Sequence, residues 1–469
     1  MKKIISVLLF AAIMLSMLLI FSSCVEEETT APIPTAPTIN GTALKEYTIV
    51  YDMQGLDYNQ RAAEYIKTKV QEKYGIELEI IDDDTDKKDH EIVVGETSRP
   101  ISVSLNEETK GFEFSILALD GSIALEGDYF VIAAAAYYFV DTYASGDGEN
   151  VTISDTATIC EPITKEAKNF ILLIGDGMGV YQTLIFDYME NTVDYSDGEN
   201  LFYGYMFPYI GSSRTASLSG VTDSAAGGTA LATGRKTYNE YIGLDQDYNP
   251  VKSLTELAFE LGKSAAVLST EIETGATPSA FYAHADSRHD QGDILRESIR
   301  AQKEYGTIID CGFDYYNVKY MSTIEGHIEE ALEKVSENEN GFFLMYEEAY
   351  IDKYCHNNNI GGLLKTVTRF NQAIARFMEF AFYNPDTLVI ITADHETGDL
   401  YPEEDGNLAY HHDDHTGADV LIFAYGQGAE MFNNVNIENI QIPHTIAAMM
   451  GDENFGDQSV YQSLTKENK

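Results

Sequence analysis

Asn169-Phe-Ile-Leu-Leu-Ile-Gly-Asp-Gly-Met178 carries five consecutive apolar residues, Phe170–Ile174, and stops on Gly175-Asp176-Gly177. An unbroken apolar run of this length, closed by glycine, is the pattern of a strand buried on both faces rather than of a half-exposed one. The same pattern returns at Ala265–Leu268, Phe342–Met345, Leu388–Ile391 and Val420–Phe423. Between these runs lie helical spacings at Leu254–Leu261, Gly292–Gln302, His327–Val335 and Leu363–Phe382. Apolar strands alternating with amphipathic helices predict an α/β fold, a mostly parallel central sheet flanked by helices. Polar residues follow nearly every strand, where such sheets hold their ligands.

The residues before this unit divide into three pieces. Lys2 and Lys3 precede an apolar run from Ile4 to Phe21, and Ser22-Ser23-Cys24 follows. That order fits an export signal over residues 1–23 and resembles a bacterial lipoprotein signal, with Cys24 as the acylated first residue. A plain membrane anchor is the alternative; either way the remainder is expected outside the cytoplasm, held at the outer face of the membrane. Residues 24–45, rich in Pro and Thr, read as an extended tether. Residues 46–162 read as a small α/β unit, with strands at Thr48–Tyr51, Ile76–Ile81, Glu91–Val94, Phe112–Leu117 and Ser122–Leu125. Its helices fall at about Asn59–Lys73 and Tyr129–Tyr143. The strings Glu91-Ile-Val-Val-Gly-Glu-Thr-Ser-Arg99 and Gly127-Asp-Tyr-Phe-Val-Ile-Ala-Ala-Ala135 resemble the small domain that precedes catalytic domains in some bacterial hexosaminidases. A spacer or docking role is the expectation. The catalytic unit is then 163–469.

With 30 Lys+Arg against 76 Asp+Glu, the chain carries a formal charge of -46. Nucleic acids and anionic membrane surfaces need clustered positive charge and are excluded as partners, leaving a lipid on Cys24 as the only link to a membrane. Cys160, Cys311 and Cys355, widely spaced, do not form a disulfide framework.

The chemistry concentrates at strand ends. Val221-Thr-Asp-Ser-Ala-Ala-Gly-Gly-Thr229 sets a hydroxyl, Ser224, between a carboxylate and a run of small residues. Such a run lets backbone N–H groups and a helix N-terminus crowd around an anion, although alone it also suits a tight turn opening a buried helix. Asp176 follows the first strand; Thr277 and Arg288 follow the second, in Thr274-Gly-Ala-Thr-Pro278 and Ala283-His-Ala-Asp-Ser-Arg288. Glu347, Asp352, Lys353 and His356 follow the third, Asp394 and His395 the fourth, and His415 precedes the fifth. Asp352 and His356, four apart, suit one helical face. Imidazoles and carboxylates at adjacent strand ends are the donor set zinc prefers, with positions left open for substrate.

Gly-Asp-Gly-Met, Val-Thr-Asp-Ser-Ala-Ala-Gly-Gly-Thr, Ala-Asp-His-Glu-Thr-Gly and His-Thr-Gly, in this order over about residues 168–465, resemble the alkaline phosphatases. The resemblance implies a phosphomonoesterase that works through a phosphoserine on Ser224. By the same resemblance, Asp352, His356 and His415 would hold one zinc. Asp394 and His395, with Asp176, would hold a second, whose remaining position the Ser224 oxygen takes. A third ion, usually magnesium, would sit between Asp176, Thr277 and Glu347. Arg288 would grip the phosphate with Asp223 orienting it, and Lys353 would approach the phosphate through water. One departure stands out: two residues before Thr277, where the family often has Asp or His, this chain has Gly275. Two tightly held zinc ions and a weak, exchangeable third site are therefore expected, unless another residue substitutes.

A sulfatase is excluded because Ser224 lacks the Pro and Arg that class needs after its nucleophile, and an α/β-hydrolase because Gly-x-Ser-x-Gly is missing. A phosphodiesterase of the same superfamily is the alternative within the fold, and a non-catalytic surface phosphate- or glycan-binding lipoprotein the alternative outside it. The short interval from His395 to His415 favours a monomer, with a dimer as the other possibility. The natural phosphomonoester is not readable from a site that grips only phosphate.

Overall fold

The computed structural model describes residues 33–105, 109–189, 201–312 and 321–456. The export signal at 1–23, Cys24 and the first part of the tether lie outside the described residues. Among the described residues, no helix is long and apolar enough to cross a membrane.

The central sheet has eight strands: β1 Asn169–Gly175, β2 Tyr209–Arg214, β3 Ser264–Ser269, β4 Ile308–Cys311, β5 Phe342–Glu348, β6 Thr387–Thr392, β7 Val420–Tyr425 and β8 Asn436–Glu438. Their order is β4-β3-β5-β1-β6-β7-β2-β8. β1 is parallel to β5 on one side and β6 on the other, so the run read first in the sequence is the middle of the sheet. Every residue of β1, β5 and β6 is buried, as expected of strands covered on both faces. β7 departs from the all-alike reading: it runs antiparallel to both β6 and β2. An apolar run carries no direction, so its orientation was not readable. The reversal matters, because the segment entering β7 lies at the sheet edge where the parallel strands leave.

Register then aligns the site. Ile174 pairs with Glu347 on β5 and with Thr392 on β6, and Ser269 on β3 pairs with Glu347. Asp176 and Asp394, each two residues beyond those rungs, emerge side by side, with Glu347 beside them. Two helices carry Ser224, Asp352, Lys353 and His356, α1 Ser224–Thr233 and α2 Tyr350–His356, while α3 Ile360–Tyr383 packs behind β1 and β6.

The small unit forms a six-stranded sheet in the order Ile80–Asp82, Thr48–Tyr51, Glu91–Val94, Ser122–Glu126, Phe114–Leu119 and Thr158–Cys160. Alternation along its strands sends Val50, Val93 and Leu117 to one small cluster and Ile49, Ile92 and Ile116 to the main core. Pairing begins earlier than the tether reading supposed. Thr38–Ile39 pairs with Thr42–Ala43 and with Asn150–Val151, and Leu44 is fully buried.

The two units share one apolar core. Phe112 meets Phe130, Phe207, Phe382 and Tyr425 at ring-centroid distances of 5.1–6.0 Å. Beside these rings Arg61 Nε donates to Glu379 Oε1 at 2.6 Å and Arg376 Nη2 to Asp57 Oδ2 at 3.0 Å, tying α3 to the helix Asp57–Tyr74.

Candidate active site

Asp223 is the N-cap of α1: its backbone is extended, and Oδ1 accepts from Ala226 N at 2.9 Å, the standard use of an aspartate at this position. Oδ2 accepts from Glu240 N at 2.9 Å and faces Arg288 Nη1 at 3.5 Å. The next residue, Ser224, opens the helix and is 4% exposed. The small residues after it have a packing reason. A Cβ on Gly227 would lie 3.0 Å from Asp394 Cβ, and one on Gly228 would lie 3.0 Å from Thr277 Cα. The helix must approach the strand ends this closely for Ser224 Oγ to reach His395 Nε2 at 3.2 Å.

Around His395 the other donors converge. Its Nε2 lies 3.4 Å from Asp176 Oδ1 and 3.4 Å from Asp394 Oδ2. The second group sits alongside: His356 Nε2 is 3.1 Å from His415 Nε2 and 3.3 Å from Asp352 Oδ1, and His415 Nε2 is 3.5 Å from the same oxygen. The far nitrogen of each ring is committed to backbone, His356 Nδ1 to Asp413 O at 2.8 Å and His415 Nδ1 to Thr222 O at 2.9 Å. Those carbonyls fix Nδ1 as the protonated nitrogen and leave Nε2 free to ligate.

Asp352, His356 and His415 form one group able to hold a metal, and Asp176, Asp352 and His395 another. The fit goes beyond proximity. Asp176 Oδ1, Asp394 Oδ2 and Thr277 Oγ1 are buried with no hydrogen-bond partner, an arrangement that costs free energy unless a cation satisfies it. Glu347 accepts from Ser269 Oγ. Every sequence-predicted site residue therefore gathers at the carboxyl ends of the central strands, Lys353 included, although its ammonium is paired with Glu271.

The electrostatics are those of a crowded anionic pocket. Burial, then the charges of Asp394, Asp352 and Glu347, pushes Asp176 well above the usual carboxylate range. Burial likewise pushes Glu347 up to about 8 and Asp394 up to about 7. His356, hydrogen-bonded to Asp352, rises to about 9, whereas burial drives His395 well below the usual histidine range. Asp352 goes the other way from its carboxylate neighbours: burial opposes ionisation, but bonds from His356 and His415 hold it well below the usual value.

Three residues here were not singled out from sequence. Thr397 Oγ1 donates to Asp352 Oδ1 at 2.6 Å and lies 3.2 Å from His395 Nδ1, linking the two groups. It belongs to the Asp-His-Glu-Thr-Gly string, which was the available signal. Ser269 and Glu271 had none.

The profile of the family described as alkaline phosphatase matches residues 167–311 and 310–402, about half of the chain and nearly all the residues just described. The chain belongs to the alkaline phosphatase family. Alkaline phosphatase 4 of Bacillus subtilis (strain 168) is 31% identical over 303 residues, covering 52% of this chain and 65% of that protein. The alkaline phosphatase of Escherichia coli (strain K12) is 26% identical over 412 residues, 62% of this chain and 88% of that one. The chain thus spans slightly less than two thirds of the length of the Bacillus relative. Among solved structures, the alkaline phosphatase from the Antarctic bacterium TAB5 aligns with a TM-score of 0.52 at 26% identity, covering 62% of this chain and 99% of that one. A variant of the TAB5 enzyme with Mg bound in its M3 site aligns with a TM-score of 0.51 at 27% identity, over the same shares of both chains. An alkaline-phosphatase α/β fold with residues arranged to hold metal is common ground.

Proposed function

We propose that this chain is an exported, metal-dependent phosphomonoesterase that forms a phosphoserine on Ser224. One observation carries the reading. A tetrahedral zinc with bonds of about 2.0–2.1 Å sets its ligand atoms about 3.3–3.4 Å apart. The Nε2 of His395 lies 3.2–3.4 Å from Ser224 Oγ, Asp176 Oδ1 and Asp394 Oδ2, and the Asp352–His356–His415 atoms are 3.1–3.5 Å apart. The Asp352–His356–His415 atoms and the three distances from His395 Nε2 match the edges of a zinc coordination shell, which supports Ser224 Oγ as the oxygen that completes the second group. Two zinc ions would be held by these groups, and a magnesium-type ion by Asp176, Glu347 and Thr277.

Zinc, when bound, supplies positive charge beside the phosphate and lowers the cost of ionising a serine hydroxyl that has no general base of its own. The protein's own groups do the rest. Ser224 Oγ, held at the first turn of α1, forms a bond to phosphorus while the ester oxygen leaves, and the serine proton ends on the departing alcohol. Water then breaks the phosphoserine, releasing inorganic phosphate and restoring Ser224. Arg288 offers a planar pair of N–H donors to the equatorial oxygens, and Asp223 limits its swing. The excess of Asp and Glu keeps the surface acidic and gives no support to nucleic acid as substrate.

The test is turnover of p-nitrophenyl phosphate against bis(p-nitrophenyl) phosphate, with and without added zinc. Zinc-dependent preference for the monoester is expected. Faster turnover of the diester would make the chain a phosphodiesterase, and binding without turnover would leave a phosphate receptor.

Asp223 allows a second check, because its two oxygens do different things. Asp223→Asn keeps an N-cap oxygen but loses the charge facing Arg288; Asp223→Ala loses both. Both variants are expected to weaken inhibition by inorganic phosphate and to lose the bond from Glu240 N, and the alanine variant gives up about 1 kcal/mol of stability more for the missing cap. Equal phosphate inhibition in Asp223→Asn and wild type would dissociate Asp223 from phosphate binding.

A further inference from the structure

Gly275 precedes the short helix Ala276–Ser279, and its backbone (φ -62, ψ 152) is open to any residue. Conformation therefore does not call for glycine there. Space does. A Cβ at 275 would fall well inside contact with Glu271 Cγ and 2.9 Å from Ile272 O, because the Glu271 side chain is folded across the glycine.

Glu271 is tied down on every side. Its Oε2 pairs with Lys353 Nζ, and its Oε1 accepts from its neighbour Ile272 N at 3.2 Å. Its own backbone N–H donates to Ser269 Oγ at 2.8 Å, and that hydroxyl donates to Glu347. Gly312 N donates to its carbonyl at 2.6 Å. The residue consequently links two parts of the site, its carboxylate reaching Lys353 and its backbone reaching Glu347 through Ser269. On one side is Lys353, which follows Asp352 on α2 and lies over the Tyr350 ring at 4.3 Å. On the other is Glu347, with Thr277 two residues beyond the glycine.

We propose that Glu271 is a positioning residue that takes over the work of the missing side chain at 275: it anchors the Lys353 ammonium and presents a carboxylate to the hydration shell of the cation held by Asp176, Glu347 and Thr277. The inference rests on the phosphomonoesterase reading and its third ion. Gly275 is then the clearance that lets a carboxylate arrive from four residues upstream, and the third site is better supported than its local sequence implies.

The test is a double-mutant cycle on zinc-loaded full-length protein, read by magnesium titration calorimetry together with zinc content. Glu271→Gln preserves shape and removes charge; it is expected to weaken magnesium binding by about tenfold or more, the usual loss when an outer partner of a metal ligand is removed. Gly275→Ala touches no ligand but pushes Glu271 aside, and is expected to weaken magnesium in the same direction. In the Glu271→Gln background, Gly275→Ala should then add little, because both changes act through one carboxylate. Zinc content stays at the wild-type value throughout. Magnesium affinity within about twofold of wild type in Glu271→Gln, additive effects in the cycle, or loss of zinc in parallel with magnesium would each overturn the proposal, the last by reducing Glu271 to a packing role. Failure of the underlying reading looks different: wild-type protein would bind neither ion or would not turn over p-nitrophenyl phosphate.

Discussion

In a Ser224→Ala variant, turnover of p-nitrophenyl phosphate is expected to fall by about 10⁴-fold or more, the scale set by removing a covalent nucleophile elsewhere. The change deletes one buried oxygen whose recorded side-chain partner is His395 Nε2 at 3.2 Å. Alanine is a good helix former, Asp223 still caps the helix, and the other ligand atoms are unaltered. Asp176, Asp394 and His395 remain to hold the second zinc and water can fill the vacated position, so zinc uptake and thermal stability should change little beside the loss of turnover. Acid-quenched wild type incubated with labelled phosphate should retain label on Ser224, and the variant should retain none. Turnover within tenfold of wild type would remove Ser224 from the mechanism. Retained phosphate affinity with no turnover in either protein would leave a binding protein.

Stripping the metals with a chelator should abolish activity and also lower Tm, by on the order of 5–10 °C for ions present well above their dissociation constants. The pH dependence of that drop is the sharper signature. In the metal-free protein, burial raises Asp394 to about 7 and Glu347 to about 8, and Asp352 raises His356 to about 9. A folded-state value above the unfolded one means that the group contributes its stability at low pH and loses it as pH rises through the folded value. All three shifts have that sign: Asp394 has given up its contribution by about pH 7, while Glu347 and His356 go on losing theirs up to about pH 8 and 9, so the metal-free protein weakens further between pH 7 and 9. Metal-loaded protein has cations in place of those protons and should not. The gap between the two Tm values is expected to widen from pH 7 to pH 9 in calorimetric scans. A constant gap, or none, would mean that these carboxylates do not share a cation.

The fold was legible where strands are buried on both faces. Phe170–Ile174, Phe342–Met345 and Leu388–Ile391 read as unbroken apolar runs and are β1, β5 and β6. Tyr209–Arg214, Ile308–Cys311 and Asn436–Glu438 do not stand out in the sequence, because polar Ser212, Ser213, Asp310 and Asn436 interrupt any apolar pattern. The helix Leu363–Phe382 was readable from its spacing and extends to Ile360–Tyr383. At the site, residues that offer a donor in a recognisable string could be named in advance. Those that act through tertiary contact could not. Ser269 is the last residue of an ordinary strand, and nothing in a row of letters says that Glu271 folds over Gly275. Reading Gly275 alone suggested a deficit at the third ion, since a side chain's absence is visible in sequence and its replacement from elsewhere is not.

The aromatic seam between the two units has a consequence for how the chain can be divided. Phe112 and Phe130 come from the small unit, Phe207, Phe382 and Tyr425 from the large one, and they pack ring against ring. The break near residue 162 is therefore a boundary of topology, not of cohesion. Cutting there would leave each half with a bare aromatic wound, and the α3 helix that backs the catalytic strands would lose its contacts with Phe130 and with the helix Asp57–Tyr74. The small unit is less a tethered neighbour than a keystone, whose removal would be felt at the far end of the same helix, next to the metal ligands.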